Sequence, residues 1–328
     1  MRPRTRSLLF VVGLLAGSLV VVHAAAQKQA SNFPNKPIRW IIPFPPGGSN
    51  DVLARYLGVK LTERVGQQVV IDNRAGANGI IGAEIAASAR ADGYTLLMAS
   101  VSWLMNAAVR PLPYDVEKSF DPISTIGSSP NSIVVNPGGP FRTLPELVDG
   151  AKAKPGAINY AHTGVGGFNH FGGELFKKVA GIDMVPVPYK GGGPAMIDVI
   201  AGNVPVMFSS LTQTLTHVRA GRLKLLAIGA AKRSTVVPEV PTVAEAGFPG
   251  YELYVWWGIV GPAGMPPAVM DTLRREFTAI LQDPETQKRL AAEAAEPQNL
   301  TPAEFRRMVH NDRKKWAEIA QQAGIRVQ

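Results

Sequence analysis

Eight consecutive residues, Phe44-Pro45-Pro46-Gly47-Gly48-Ser49-Asn50-Asp51, have the residue types of an anion-binding turn. The apolar, β-branched run before them, 38–42, predicts a buried strand. Apolar residues at helical spacing follow from Val52 to Leu61 and predict an amphipathic helix. We expect the side chains of Ser49, Asn50 and Asp51 to accept hydrogen bonds from the first amides of that helix. Strand, glycine turn and helix N-terminus in this order aim backbone N–H groups and a positive helix dipole at one point, which predicts an anion site.

Two further glycine-rich turns have the composition for the same role. Residues 162–167 (HTGVGG) precede a predicted helix that starts at Asn169, and residues 188–193 (PYKGGG) precede another. Lys190 could neutralise an anion there, or could be an ordinary solvated loop lysine. His162 and His170 flank the first of these turns, so each is either a ligand contact or a buried structural histidine.

Other classes of site find no support in the motifs. The glycine clusters match neither the dinucleotide fingerprint nor a Walker motif, and no Gly-x-Ser-x-Gly elbow occurs. The five histidines fall singly, without metal-ligand spacing. We therefore predict binding without catalysis, cofactor or metal. One helix N-terminus contributes about 0.3–1 kcal/mol to an anion and a micromolar ligand needs about 8 kcal/mol, so further hydrogen bonds in a closing cleft are required.

The chain has 328 residues, 46% of them hydrophobic and 18% charged, an ordinary composition for a globular protein with two domains. Three arginines, an apolar run from Leu8 to Val22 and Ala24-Ala25-Ala26 predict a cleaved signal peptide over 1–26 and export to the periplasm. The formal net charge is +9, but Lys and Arg are scattered without interleaved aromatic residues, so a nucleic-acid partner is not expected. A protein without cysteine has no disulfides to stabilise it after export.

Strand and helix patterns alternate along the chain, which predicts parallel sheets covered by helices. Strands are predicted over 68–71, 94–99, 158–161, 184–187, 204–208 and 223–228, a long crossing strand over 123–135, and a returning strand over 251–260. Ser100 to Trp103 and Ser209-Ser210 are interpreted as polar turns after strands. Crossing segments near 126–135 and 223–230 predict two domains, 27–125 plus 229–328 and 126–228, with a ligand cleft between them.

With these elements placed, the chain resembles the periplasmic solute receptors of tripartite tricarboxylate transporters, the Bug receptors. The stretches that carry the resemblance are KPIRWIIPFPPGGSNDVLAR (36–55), GQQVVIDNRAGANGIIGAEIAASARADGYTLL (66–97), PYDVEKSFDPIS (113–124), INYAHTGVGGFNHFGGELF (158–176), VPYKGGGPAMIDVIAG (187–202), GRLKLLAIGAAKRS (221–234), VPTVAEAGFPGYE (240–252) and WGIVGPAGMP (257–266). The resemblance implies a type II periplasmic binding protein fold, α/β, with two mixed-sheet domains. It also implies a receptor that captures a small organic carboxylate and delivers it to membrane components of a transporter.

The resemblance and the turns together give the expected ligand-binding residues. They are Phe44, Pro46, Gly47, Gly48, Ser49, Asp51, Ser100, Ser102, Trp103, Asn106, Thr163, Gly164, Gly166, His170, Tyr189 and Ser209. Trp103 and Trp256 are either core residues or walls of a pocket.

Two positions depart from the family pattern in ways that bear on the ligand. Trp103 stands where relatives commonly have a polar residue or histidine, and Ser209 stands where many have aspartate. The resemblance then favours an aromatic or aliphatic mono- or dicarboxylate over an amino acid. We expect a monomer that does not catalyse a reaction. The alternative is a secreted hydrolase or isomerase that uses His170 with a serine.

Overall fold

The computed structural model describes residues 33–326, and in this part of the chain ten strands form one curled, mixed sheet between helices. The predicted signal peptide over 1–26 lies outside the described residues. No helix within 33–326 has the length and apolar character needed to cross a membrane.

The first part of the chain alternates strand and helix as predicted. Its elements are β1 (Ile38–Ile42), α1 (Ser49–Val65), β2 (Val69–Asn73), a 3-10 turn (Ala77–Gly79), α2 (Ile80–Ala87), β3 (Thr95–Ser100) and α3 (Val101–Val109). Strand β1 pairs in parallel with both β2 and β3, so the carboxyl ends of β1 and β3 lie at the same edge of the sheet.

A long strand, β4 (Phe120–Val135), leads into the second part. It is followed by α4 (Leu144–Ala153), β5 (Asn159–His162), α5 (Phe168–Ala180), β6 (Val185–Pro188), α6 (Gly192–Ala201), β7 (Val206–Ser210), α7 (Leu211–Arg219) and β8 (Lys224–Ile228). Strand β5 pairs in parallel with β6 and β7, whereas β4 pairs antiparallel with β7 and β8 through its last five residues, 131–135.

The remaining elements return to the first part of the sheet. They are β9 (Tyr254–Pro262), α8 (Pro267–Gln282), α9 (Pro284–Ala292), β10 (Glu296–Pro297) and α10 (Pro302–Ala323). Strand β9 is antiparallel to β3 on one side and to residues 120–130 of β4 on the other. The strand order is therefore β2-β1-β3-β9-β4-β7-β5-β6, and β4 runs through both sheet regions.

We call β1, β2, β3, β9, β10 and residues 120–130 of β4 the first sheet region, and β5 to β8 with residues 131–135 of β4 the second. The expected crossing near 126–135 is present as β4. The expected crossing near 223–230 is placed differently, because β8 lies wholly in the second region and the chain returns to the first only after residue 228. The domain boundaries stay a prediction.

Two stretches interpreted as polar turns are helix starts. Ser100 ends β3 and directly precedes α3, so Val101 to Trp103 form the first turn of that helix. Ser210 ends β7 and caps α7, a helix missed from the sequence because its threonines and histidine have low helix propensity. Its buried leucines, Leu211 and Leu215, belong to the same hydrophobic core cluster as Val134, Met207 and Ile228, and this packing overrides the low propensity.

Candidate functional site

A small polar cavity lies where the two sheet regions meet. It is lined by Phe44, Gly48, Ser49, Asn50, Ser100, Ser102, Thr163, Phe168, Asn169, Gly192, Ser209, Ser210, Gln213 and Val255. Its volume is about 40 Å³. One water requires about 10–15 Å³, so the space accommodates roughly three waters or a group such as a carboxylate.

Five helices begin at this cavity. Its walls include the first residues or the N-caps of α1, α3, α5, α6 and α7. No side chain caps the first four, whose N-caps are Gly48, Ser100, Gly167 and Gly191. Of the helices that begin away from the cavity, α4, α9 and α10 have side-chain caps, whereas α2 and α8 do not. Apart from the N–H of Phe168, which donates to Ser102 Oγ, no first-turn amide of α1, α3, α5 or α6 has a side-chain acceptor within the described chain, so these amides are open to a ligand.

This corrects the expectation that side chains would cap α1. Ser49 opens the helix, and Gly48 precedes it in an extended conformation without a side chain. The Oδ1 atom of Asn50 accepts a hydrogen bond from the indole of Trp257, at 2.9 Å, and not from a helix amide. Only Asp51 accepts from a local amide, the N–H of Gly47 at 3.0 Å.

The cavity offers hydrogen-bond donors but no charge. None of its fourteen lining residues, all within 33–326, has an ionisable side chain. Three side-chain amides that line it, Asn50 Nδ2, Asn169 Nδ2 and Gln213 Nε2, are buried and have no hydrogen-bond partner. A buried donor without an acceptor costs about 1–3 kcal/mol, so these groups indicate a ligand that supplies acceptor oxygens.

The two sheet regions touch directly beside the cavity. The N–H of Phe168 donates to Ser102 Oγ at 3.2 Å, and Arg110 Nη2 donates to the carbonyl of Val165 at 2.6 Å. A Cβ built on Gly193 would lie 2.8 Å from the carbonyl oxygen of Pro46, so the turns around these residues meet backbone to backbone. The walls of the cavity are therefore joined by contacts between segments far apart in sequence.

Seven of the sixteen expected residues line the cavity. They are Phe44, Gly48, Ser49, Ser100, Ser102, Thr163 and Ser209. Trp103 and Asn106 line a smaller neighbouring cavity of about 10 Å³, which shares Phe44 and Ser100 with the first. Trp103 is 6% exposed and its ring packs edge-on against Phe120 at 5.0 Å, so it is both a core residue and a cavity wall.

The other expected residues lie around the cavity without lining it. Asp51 forms an ion pair with Arg55 at 2.9 Å and accepts from Asn73 Nδ2 at 2.9 Å. Burial opposes ionisation of Asp51, but hydrogen bonds from Arg55, Asn73 and Gly47 outweigh it and lower its pKa. Pro46 and Gly47 belong to the turn that Asp51 holds. Gly164 and Gly166 belong to the turn before α5, and both have positive φ, 115° and 85°.

His162 and His170 face each other behind that turn, with ring centroids 4.7 Å apart. Burial lowers the pKa of both, that of His170 to about 3 with help from His162 and Lys177. His162 Nδ1 accepts from the N–H of Gly164 at 3.1 Å, whereas His170 Nδ1 has no partner. Tyr189 donates to Asp198 at 2.7 Å and lies away from the lining. The geometry thus gives the two histidines a structural place behind the turn.

Seven lining residues were missed from the sequence: Asn50, Phe168, Asn169, Gly192, Ser210, Gln213 and Val255. Five of them belong to predicted turns or predicted helix starts and could have been found by extending those turns by one or two residues. Gln213 required the unrecognised helix α7, and Val255 required the register of β9.

Two further observations concern other possible sites. No cluster of three or more His, Cys, Asp or Glu suited to a metal occurs between residues 33 and 326. A larger cavity, about 300 Å³, lies between α10 and residues 116–122, with walls such as Trp103, Phe120 and Phe305. That cavity is mainly apolar and has one helix start among its walls, against five for the small cavity, so we take the small polar cavity as the candidate site.

Comparisons with known proteins show the family and the fold of the chain. The family described as tripartite tricarboxylate transporter family receptor matches residues 53–325. Protein BugT of Bordetella pertussis is 36% identical over 323 residues, which cover 98% of each chain. A solved structure described as a periplasmic transporter is 37% identical, with a TM-score of 0.87 over 90% of this chain and 100% of the other. The R. palustris protein Rpa4515, solved with adipate, is 32% identical, with a TM-score of 0.87 over 90% and 99%. These structural likenesses confirm the predicted periplasmic binding protein fold.

Proposed function

The chain belongs to the tripartite tricarboxylate transporter receptor family, and from this premise we propose that it captures a small organic carboxylate in the polar cavity between its two sheet regions. The family is one of solute receptors, so the open questions are the ligand, the residues that hold it and the partner that receives it.

One observation carries the proposal: three buried amide donors without partners and four helix N-termini without side-chain caps meet at one uncharged cavity. Such a site favours oxygen acceptors that bear negative charge. The relative solved with adipate binds a dicarboxylate, and the same chemistry fits the donors of this chain.

The binding energy is consistent with a useful affinity. Five helix N-termini at about 0.3–1 kcal/mol each supply at most about 5 kcal/mol to an anion. Micromolar binding requires about 8 kcal/mol, and hydrogen bonds to the three unpartnered amides, at about 1 kcal/mol each, reach that value only with the upper figure for the helices. Further hydrogen bonds from the backbone N–H groups and hydroxyls of the lining therefore belong to the proposed site. The proposed contacts are the lining residues of the cavity, with Asp51 and Gly47 holding the first turn in place.

The small volume, about 40 Å³, and the uncharged lining favour a ligand that places a carboxylate in the cavity and carries no ammonium group. The neighbouring cavity beside Trp103, about 10 Å³, has room for only about one water. An aliphatic or aromatic mono- or dicarboxylate meets that description. An amino acid does not, because no acid lines the cavity to receive its ammonium group.

We also propose the setting of this receptor. The predicted signal peptide and the periplasmic relatives support export to the periplasm, where a monomer would deliver the ligand to membrane components of a transporter. Binding is proposed to be reversible and without turnover. The rival, a hydrolase or isomerase, would use His170, but that histidine does not line the cavity and its pKa of about 3 makes it a poor base at neutral pH.

The test is calorimetry of the purified mature chain against acetate, benzoate, malate, succinate and adipate, with product analysis after prolonged incubation. We expect stoichiometric binding of at least one carboxylate and no product. The variant Gly48→Val localises the site, because a Cβ at Gly48 meets no protein atom within 4 Å and the fold should tolerate it. Retained affinity in Gly48→Val would place the ligand elsewhere, and product formation would restore the enzyme alternative.

A further inference from the structure

Asn50 and Trp257 form a buried pair at the cavity in which only one orientation of the amide is possible. Asn50 is 6% exposed and Trp257 is fully buried. Trp257 Nε1 donates to Asn50 Oδ1 at 2.9 Å. An indole N–H can donate but cannot accept, so the oxygen of the amide must face it. The Nδ2 atom of Asn50 is therefore presented as a donor, and it has no partner.

The other two unpartnered amides of the cavity are not fixed in this way. Asn169 Oδ1 contacts the hydroxyl of Thr163 at 3.4 Å, and Gln213 Oε1 contacts the hydroxyl of Ser209 at 2.9 Å. A hydroxyl can donate or accept, so either amide can turn over and present its oxygen to a ligand. Of the three amides, only that of Asn50 cannot switch from donor to acceptor toward a ligand.

We propose that Asn50 is a specificity-determining residue that contacts the ligand, and that Trp257 is the positioning residue that fixes its amide as a donor. This inference rests on the proposed function. The ligand atom beside Asn50 must carry a lone pair, as a carboxylate or hydroxyl oxygen does. An ammonium group there would leave donors facing donors in a buried site, which is the kind of mismatch that gives strong discrimination.

The position of Trp257 in the sheet makes it suited to this role. It lies in β9, where it is opposite Ser100 of β3 and Gly127 of β4. Strands on both sides hold its backbone, and its side chain is fully buried. The amide of Asn50, in the first turn of α1, is thus fixed by the centre of the sheet and not by its own helix.

The decisive variant is Asn50→Asp. An aspartate keeps an oxygen for the indole of Trp257 but replaces the donor with an anionic acceptor. The probes are succinate and 4-aminobutyrate, and both are measured by calorimetry. In 4-aminobutyrate a CH2–NH3⁺ group stands in place of one carboxylate of succinate, so the charge at that end is reversed at similar length. We expect the wild-type chain to prefer succinate, and Asn50→Asp to lose succinate affinity by about 100-fold while its preference shifts toward 4-aminobutyrate.

Trp257→Phe tests the positioning role, because it frees the amide of Asn50 without touching the ligand. We expect the preference for succinate over 4-aminobutyrate to narrow by about tenfold. The matched control is Trp40→Phe, since Trp40 is also fully buried but its indole N–H has no acceptor. This control should leave the preference unchanged, and denaturation curves verify that all variants fold.

The results distinguish a failure of this inference from a failure of the proposed function. Suppose that a diacid binds the wild-type chain and that Asn50→Asp has the same preference for succinate over 4-aminobutyrate as the wild type. This inference is then wrong and the proposed function survives. If Asn50→Asp does not fold, an unchanged preference in Trp257→Phe leads to the same conclusion. If acetate or benzoate binds the wild-type chain but no diacid does, the expected preference for succinate is wrong, so this inference fails and the proposed function survives. If none of acetate, benzoate, malate, succinate and adipate binds, the proposed function fails and this inference fails with it.

Discussion

Acidification should destabilise this protein through His170, a buried histidine behind the turn that precedes α5. Burial, His162 and Lys177 hold the folded-state pKa of His170 at about 3, against an ordinary value of 6.5. Below pH 6.5 the unfolded chain therefore binds a proton that the folded chain does not. The stability that a neutral His170 provides is complete above pH 6.5 and is lost as the pH falls toward the folded-state value.

The loss of free energy of unfolding depends on how far the pH lies below the unfolded-state pKa of 6.5. One pKa unit corresponds to about 1.4 kcal/mol, so at pH 5 His170 alone removes about 2 kcal/mol of the free energy of unfolding. His162 acts in the same direction, because burial lowers its pKa too. The loss should begin near pH 6.5, well above the range in which ordinary carboxylates titrate.

The assay is urea unfolding at pH 7 and pH 5 for the wild-type chain, His170→Gln and His310→Gln. The glutamine at 170 cannot titrate, so we expect its loss between the two pH values to be smaller than that of the wild type by about 2 kcal/mol. His310 is exposed, so His310→Gln is the surface control for a change of histidine to glutamine. Equal losses in the wild type and His170→Gln would refute the reasoning.

Three further predictions concern the cavity. Gly193→Ala places a Cβ 2.8 Å from the carbonyl oxygen of Pro46 and should hold the two turns apart. We expect carboxylate affinity to fall about tenfold or more, and small-angle scattering to detect a less compact ligand-bound state. Unchanged affinity would argue against closure at these turns. Asn169→Leu removes an unpartnered buried donor, so calorimetry should record weaker binding while the melting temperature stays the same or rises; a lower melting temperature would contradict this account. Asp51→Asn removes a charged acceptor of several hydrogen bonds and should cost about 2–3 kcal/mol in urea unfolding, whereas a cost below about 0.5 kcal/mol would mean that Asp51 does not hold the turn of Gly47.

The sequence predicts the alternation of strands and helices well, because each parallel strand is a short apolar run and each turn is rich in glycine. It fails at α3 and α7, where Ser100 and Ser210 end a strand and precede a helix with no intervening loop. Without a loop, no turn residue marks the point where the spacing of apolar residues changes from the strand period of two to the helix period of about 3.6. Helix α7 also contains residues of low helix propensity, and its formation depends on the packing of Leu211 and Leu215 in the hydrophobic core.

The glycine-rich turns predict where the site lies, but the side-chain amides that line it were not predicted. Gly48, Ser49 and Thr163 are found because glycine and hydroxyl residues before a helix have a local meaning. The role of Asn50 depends on Trp257, a residue 207 positions away, and no local pattern reveals such a partner. An unsatisfied donor is a property of the surroundings, so the strongest indication of a ligand becomes visible only when the two sheet regions are brought together.

Because no ionisable side chain lines the cavity, binding of a carboxylate should change the net charge of the receptor. A carboxylate that enters meets only dipoles, so its charge is neither cancelled by a lysine or arginine nor exchanged for a proton on a lining side chain. The filled receptor should therefore migrate in native electrophoresis as a more acidic species than the empty one, by the full charge of its ligand. A membrane partner can then distinguish the two forms by their electrostatic potential as well as by their shape.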